Sequence, residues 1–338
     1  MALSNRNRGL IVLLISGLGG WAATLEGQEM TVEEYQPKSS LVIPGHPVTR
    51  ARFPFIDVHS HQGRPTIEGS ERLIEAMDAM NMAIMVNLTG RSGPILVRNL
   101  EALAGRHPNR FVVFANVDFS DIDDPAFGRK AAEQLAKDYQ AGARGLKIFK
   151  NLGMNVRDKA GNRLATDDPR LDPLWAKAGE LGIPVLIHTA DPWQFWEPVD
   201  KYNERWLELK TIPGRIRSPE KNPPWEALMQ EQWNIIRRHP GTNFISAHLS
   251  WLGGDLGRLG TFFDQYPNMY AEIGAVLAEL GRQPRFAREW CQKYQDRVLF
   301  GKDSWAPEEY PYYFRTLETA DEYFDYYRRR HAFWQLYG

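Results

Sequence analysis

The stretch FIDVHSH, residues 55–61, sets an acid and two histidines at every second position of a segment that otherwise reads as a buried β-strand. Side chains alternate across a strand with a period of two, so Asp57, His59 and His61 are expected on one face. The two imidazoles near the strand's end can then grip one cation. Asp57, one step deeper, is expected to orient them. Similar segments recur downstream: MAIMVNL (82–88), FVVFANVD (111–118), GLKIFK (145–150), PVLIHT (184–189), NFISAHL (243–249), NMYAEIG (268–274) and VLFGKD (298–303). Together with 54–61 these make eight candidate strands. Helical patterns with apolar residues at three and four spacing lie between them, among them SERLIEAMDAM (70–80) and PPWEALMQEQWNIIRRHP (223–240). Strands alternating with helices predict a parallel α/β sheet, and eight repeats predict closure into a (β/α)8 TIM barrel. An open doubly wound sheet is the competitor. It usually carries a Gly-rich phosphate turn after its first strand, where this chain has His-Ser-His.

The remaining chemically informative residues fall at corresponding places. His188 ends the fifth candidate strand, His248 the sixth and Asp303 the eighth, while Lys147 lies within the fourth. In a barrel the C-terminal strand ends converge on one mouth, where such folds keep their chemistry. His46, His107, His239 and His331 lie in a linker, before prolines or in a charged segment, and are expected at the surface.

On the motifs DVHSH, IHTADP, ISAHL and LFGKD, with GARGLKIFKNLG and DDPRLDPLWAKAGELGIPVLIH in support, the chain from about residue 50 onward resembles the amidohydrolase superfamily. The resemblance is to its amidohydrolase-related branch, which includes lactonases and the aminocarboxymuconate-semialdehyde decarboxylase group. It implies that His59, His61, His188 and Asp303 bind a single divalent metal, usually zinc, and that His248 acts on substrate or water. Two departures stand out. Lys302 occupies the place of a common threonine before Asp303, and the chain ends at FWQLYG where relatives continue into a closing helix, so a truncated C-terminus is expected. Other branches of the superfamily bridge two metals with a carboxylated lysine on the fourth strand. Lys147 holds that place, although LKIFK also permits a substrate-binding or structural lysine, and one metal is the expectation.

Three imidazoles and a carboxylate suit Zn²⁺ with one coordination position left open. Such an ion lowers the pKa of a bound water toward ~7 and polarises a carbonyl. Asp303 could accept the water's proton, and His248 could stabilise the developing oxyanion or move the proton itself. Hydrolysis of an amide, ester or lactone follows. Non-oxidative decarboxylation of a small acid, aromatic acids included, is the alternative reading, and a non-catalytic exported binding protein with a structural metal is a third. The long segment 191–235, rich in tryptophan, reads in part as a lid over the barrel mouth, whereas Trp225 and Trp233 also fit a helix packed on the barrel. Arg64, Asp191 and Trp193 are the candidate substrate-binding residues, with Arg64 placed to pair with a substrate carboxylate. Arg91, Glu272 and Arg282 are further candidates of that kind.

Composition bounds the setting. The 338 residues, 43% apolar and 25% charged, suffice for a full core, and a net charge of −1 with dispersed Lys and Arg offers no stripe for a phosphate backbone. A small-molecule substrate is expected, nucleic acid is not, and a homo-oligomer is compatible with the sequence. Arg6 and Arg8 precede the apolar run GLIVLLISGLGGWAA (9–23), which reads as a signal peptide over residues 1–30 and an exported, periplasmic or extracellular protein. A membrane anchor at 9–23 is the alternative reading. Residues 31–52 read as a linker and 53–338 as the barrel. Cys291 is the single cysteine, so no intrachain disulfide can form.

Overall fold

In the computed structural model, residues 29–331 and 333–338 are described; the expected leader falls almost wholly on residues 1–28, outside them. Among the described residues no helix is long and apolar enough to cross a membrane. Ser40–Gly338 make one compact unit, and the preceding residues belong to another. The described part of that other unit, residues 29–39, contains a turn in which Glu34 and Tyr35 donate their N–H groups to the Thr31 carbonyl.

Apart from a short antiparallel pair, Phe324–Asp325 with Gln335–Leu336, the strands of the larger unit are β1 (Phe55–Ser60), β2 (Met82–Asn87), β3 (Phe111–Val113), β4 (Ala115–Asn116), β5 (Leu146–Ile148), β6 (Val185–Ile187), β7 (Phe244–Ser246), β8 (Met269–Glu272) and β9 (Val298–Leu299). All pair in parallel, β1-β2-β3 in one ladder and β4 through β9 in another. Hydrogen bonds join the two ladders at both seams. Phe114 N–H donates to Asn87 O at 3.0 Å, so β3 and β4 act as one stave kinked at Phe114, and Val58 N–H donates to Phe300 O at 3.0 Å. The result is a closed (β/α)8 barrel, with short ladders at its inner wall because each stave tilts against its neighbours.

Two apolar layers hold it. Val86, Leu88, Phe114, Leu186, Ile245 and Ala247 fill the barrel interior, with Val58 packed against them. The opposite strand faces, for example Leu146, Ile148, Val185 and Ile187, pack under the helices. The helices supply matching apolar stripes: Ile67–Met80 buries Leu73, Met77 and Met80, is capped by the Thr66 side chain, and ends at Asn81 in the left-handed conformation (φ 69°). Trp225 and Trp233 are buried on helix Trp225–Arg238, which places them in the helix layer.

Segment 46–52 is tied to the barrel. His46 bonds Asp321 through both its backbone N–H and Nδ1 at 2.6 Å, and Arg52 N–H donates to the Glu318 carboxylate. His331, expected at the surface, is buried: it pairs with Glu208 at 3.4 Å and stacks on Trp334 at 4.0 Å.

Candidate metal centre

The expected alternation along β1 breaks just where the histidines begin. The pairing register of β1 on β2 shifts between Asp57 and Ser60. Val58 packs with the barrel interior, while the Asp57 carboxylate accepts from Tyr310 Oη at 2.6 Å on helix Tyr310–Glu318. Asp57 therefore does not touch the imidazoles. It acts on the backbone, its Oδ1 accepting from His59 N–H at 2.9 Å and Lys302 N–H at 3.2 Å, and so pins the end of β1 to the end of β9. Burial pushes its carboxyl up to about 7 against these three donors.

Beyond this seam, His59 Nε2 and His61 Nε2 lie 3.2 Å apart and face Asp303 Oδ1 at 3.4 and 3.5 Å. The other nitrogen of each ring is held. His59 Nδ1 meets Glu272 Oε1 at 2.8 Å and His61 Nδ1 meets Thr89 Oγ1 at 2.8 Å. A carboxylate only accepts, so His59 carries its proton on Nδ1 and presents a bare lone pair at Nε2, the tautomer a metal needs. Asp303 has φ 82°, a left-handed conformation that aspartate tolerates, and its N–H donates to His59 O at 2.6 Å. Although the partly buried carboxyl would otherwise be pushed up, the neighbouring His61, His59 and His248 hold it well below the usual range.

His248 begins a run of four left-handed residues, His248 to Trp251, with φ between 52° and 57°. Each costs about 1–2 kcal/mol, so the surroundings must enforce the turn. His248 N–H donates to Glu272 Oε1 at 2.7 Å, its ring stacks on Trp251 at 4.4 Å, and Trp251 Nε1 donates to Thr189 O at 3.1 Å. His248 Nδ1 lies 2.7 Å from the Gly274 carbonyl, which fixes the proton there and leaves Nε2 free. His188 stands edge-on to His248, ring centroids 4.5 Å apart, and its buried Nε2 has no hydrogen-bond partner among the described residues. Burial, with His248 and Lys147 nearby, pushes its pKa well down, so the ring is neutral. Among the described residues, ligand atoms of His59, His61 and Asp303 lie close enough together to hold a divalent cation, while the orphaned neutral imidazole of His188, beside His248, stands outside that close group.

Glu272, at the end of β8, organises this centre. Its Oε1 takes both His59 Nδ1–H and His248 N–H, and its Oε2 takes Gly274 N–H at 2.5 Å. Burial would raise its pKa, but His59 and these donors hold it down to about 2. The space it occupies exists because residue 301 is glycine: a Cβ there would lie 2.3 Å from Glu272 Oε2 and 2.9 Å from His59 Cβ. Lys147 is buried on β5, with Nζ 5.5 Å from the Phe149 ring and without a hydrogen-bond partner among the described residues. Burial pushes its pKa down to about 8, opposed by Asp303 and Glu272. Lys302 turns away from the centre, bonding Ser304 and Glu309, so the side chain that replaces the common threonine does not touch Asp303.

A cavity of about 160 Å³ opens beside Asp303, His188 and His248. Asp191 lines it, but its carboxylate is held by Lys150 at 2.5 Å and Arg217 at 2.7 Å. Trp193 lines a separate groove of about 700 Å³ with Trp196, Trp225 and Trp251. Arg64 is exposed and lines neither. Trp251, in the left-handed turn after β7, lines both spaces.

The fold is a (β/α)8 barrel whose mouth gathers histidines and carboxylates close enough to hold an ion. A family model described as amidohydrolase matches residues 33–330, and the chain belongs to that family, whose members are metal-dependent enzymes acting on small molecules. Among solved structures it is similar to an uncharacterized TIM-barrel protein from Bordetella bronchiseptica (19% identity over 78% of this chain and 92% of that one, TM-score 0.51). It is also similar to a dihydroxybenzoic acid decarboxylase from Polaromonas sp. JS666 with bound manganese (14% identity, 78% and 90% covered, TM-score 0.49). A 2,6-dihydroxybenzoate decarboxylase from Rhizobium matches at 16% identity, with 78% and 91% covered and a TM-score of 0.47. At such identities the likeness concerns the fold alone. Comparison with curated proteins gave no match.

Proposed function

We propose that this chain is a metal-dependent hydrolase that cleaves an amide, ester or lactone bond of a small molecule at the barrel mouth. His59, His61, His188 and Asp303 would hold one divalent ion, for which the three-nitrogen, one-oxygen donor set favours zinc. When bound, such an ion acidifies water and polarises a carbonyl. The observation that carries the reading is the attitude of Asp303: one carboxylate oxygen faces both imidazoles, and a side chain 33% exposed leaves the other able to reach the cavity. Asp303 can thus take a proton from water and return it to the leaving group. His248, with Nδ1–H committed to Gly274, offers a bare Nε2, which suits it to moving a proton rather than to stabilising an oxyanion as a neutral ring.

The second reading, decarboxylation of a small acid, is favoured by the cationic side chains around the same cavity, which suit a carboxylate substrate. A panel on zinc-loaded protein separates the two. Proton release from lactones, esters or amides, lost in Asp303→Asn, supports hydrolysis; CO₂ release from hydroxylated aromatic acids, with no turnover of the first panel, overturns it.

A further inference from the structure

The small cavity beside the metal centre carries more positive charge than its own carboxylates neutralise. Lys150, Arg205, Arg215, Arg217 and Arg328 all line it. Asp191 serves Lys150 and Arg217 together; Arg217 makes two bonds to Oδ2, at 2.9 and 2.7 Å, and a third to Gly214 O at 3.2 Å. Glu208 serves Arg205 at 2.9 Å, Arg215, and His331 at 3.4 Å, and Glu279 also pairs with Arg205. Five cations thus meet three carboxylates, leaving Asp303 to the metal.

The unmatched guanidinium is identifiable. Arg328 makes no ion pair with a carboxylate among the described residues; Tyr326, Tyr327, Tyr313 and, more weakly, Glu309 (itself paired with Lys302) act on it, the Tyr327 ring at 5.6 Å. Lys150 is the second cation with donors to spare, since one contact to Asp191 engages one of three ammonium hydrogens. A half-buried guanidinium lining a cavity without a carboxylate is a fork shaped for a planar, two-oxygen anion.

We propose that Arg328, supported by Lys150, anchors a second carboxylate of the substrate, remote from the bond that reacts at the His59–His61–His188–Asp303 end. The substrate class is then a short dicarboxylic acid or a half-ester, half-amide or lactone of one. A cavity of about 160 Å³ sets the length as short. The inference rests on the metal centre as the reactive end, but Arg328 can be tested apart from it.

The test is calorimetric binding of glutarate and valerate to the zinc-loaded full chain. The two acids differ by a terminal carboxylate in place of a methyl. Glutarate is expected to bind at least tenfold more tightly than valerate. Arg328→Gln should abolish that preference while leaving valerate within about twofold, and Arg328→Lys should retain part of it; circular dichroism of both variants reports folding. Equal binding of the two acids to the unaltered protein, binding of neither, or a preference that survives in Arg328→Gln overturns the proposal. A preparation that retains no zinc yet prefers glutarate through Arg328 supports the anchor and contradicts the metal reading, so the two fail separately.

Discussion

Replacing Glu272 with glutamine removes a charge and exchanges one acceptor oxygen for a donor, at a position where all three partners are donors: His59 Nδ1–H, His248 N–H and Gly274 N–H. If the amide oxygen keeps His59 and His248, the NH₂ confronts Gly274 N–H at a site with no room to move, since Gly301 and Gly274 both lie against Oε2. One orphaned buried donor costs about 1–3 kcal/mol of stability. If the amide flips, His59 must shift its proton to Nε2 to accept from the NH₂, and its metal-facing lone pair is lost. Outer partners of metal-bound histidine are worth about 10–100-fold in affinity, or about 1.4–2.7 kcal/mol. Glu272→Gln is therefore expected to weaken zinc binding by one to two orders of magnitude and to lower the unfolding midpoint. Competition with a fluorescent chelator measures the first and thermal denaturation of the metal-free protein the second. A glutamine variant that is folded and binds zinc within threefold of the unaltered protein would refute the role given to Glu272.

Three further outcomes follow from the same geometry. Gly301→Ala, whose Cβ would sit 2.3 Å from Glu272 Oε2, should mimic Glu272→Gln in zinc affinity, and unchanged affinity in a folded variant would show that the strand end yields easily. His248→Asn should lower kcat by about 10²–10⁴-fold with zinc content unchanged, as expected of a group that moves a proton; zinc loss measured by elemental analysis would make it a ligand instead. Asp57 holds its proton more tightly folded, with a pKa raised by burial to about 7, than unfolded near 3.8, so its effect on stability is most favourable at low pH and declines as pH rises between those values. Asp57→Asn can still accept from His59 N–H and Lys302 N–H and donate to Tyr310, so urea midpoints at pH 5 and pH 8 should differ less than in the unaltered protein; an equal or larger difference would contradict this.

The barrel was legible because its staves announce themselves as short apolar runs ending in histidine or aspartate, and because parallel strands buried on both faces leave few other readings for FISAHL or VLIHT. The residues gathered at the mouth could be named for the same reason: strand ends converge. What alternation could not supply was Asp57, because the register shift after it turns its carboxylate toward Tyr310 and away from the imidazoles. Glu272 had a signal that was read too weakly, a lone carboxylate closing an apolar strand immediately before Ile-Gly. Its role depends on Gly274 and Gly301, which lie in different strand ends and meet only in space. Arg328 and Arg217 carried no local signal at all. They reach the cavity from the C-terminal segment and the insertion after β6, and only the closed fold shows which arginines lack a carboxylate.

Anomalous diffraction from crystals of the zinc-loaded protein would show whether one cation sits at the barrel mouth among His59, His61, His188 and Asp303. One zinc peak per chain is expected, with His59 Nε2, His61 Nε2, His188 Nε2 and an Asp303 oxygen each at about 2.0–2.2 Å. A peak between His59, His248 and Glu272, which also lie close enough to hold an ion, or a second peak on Lys147, would contradict it.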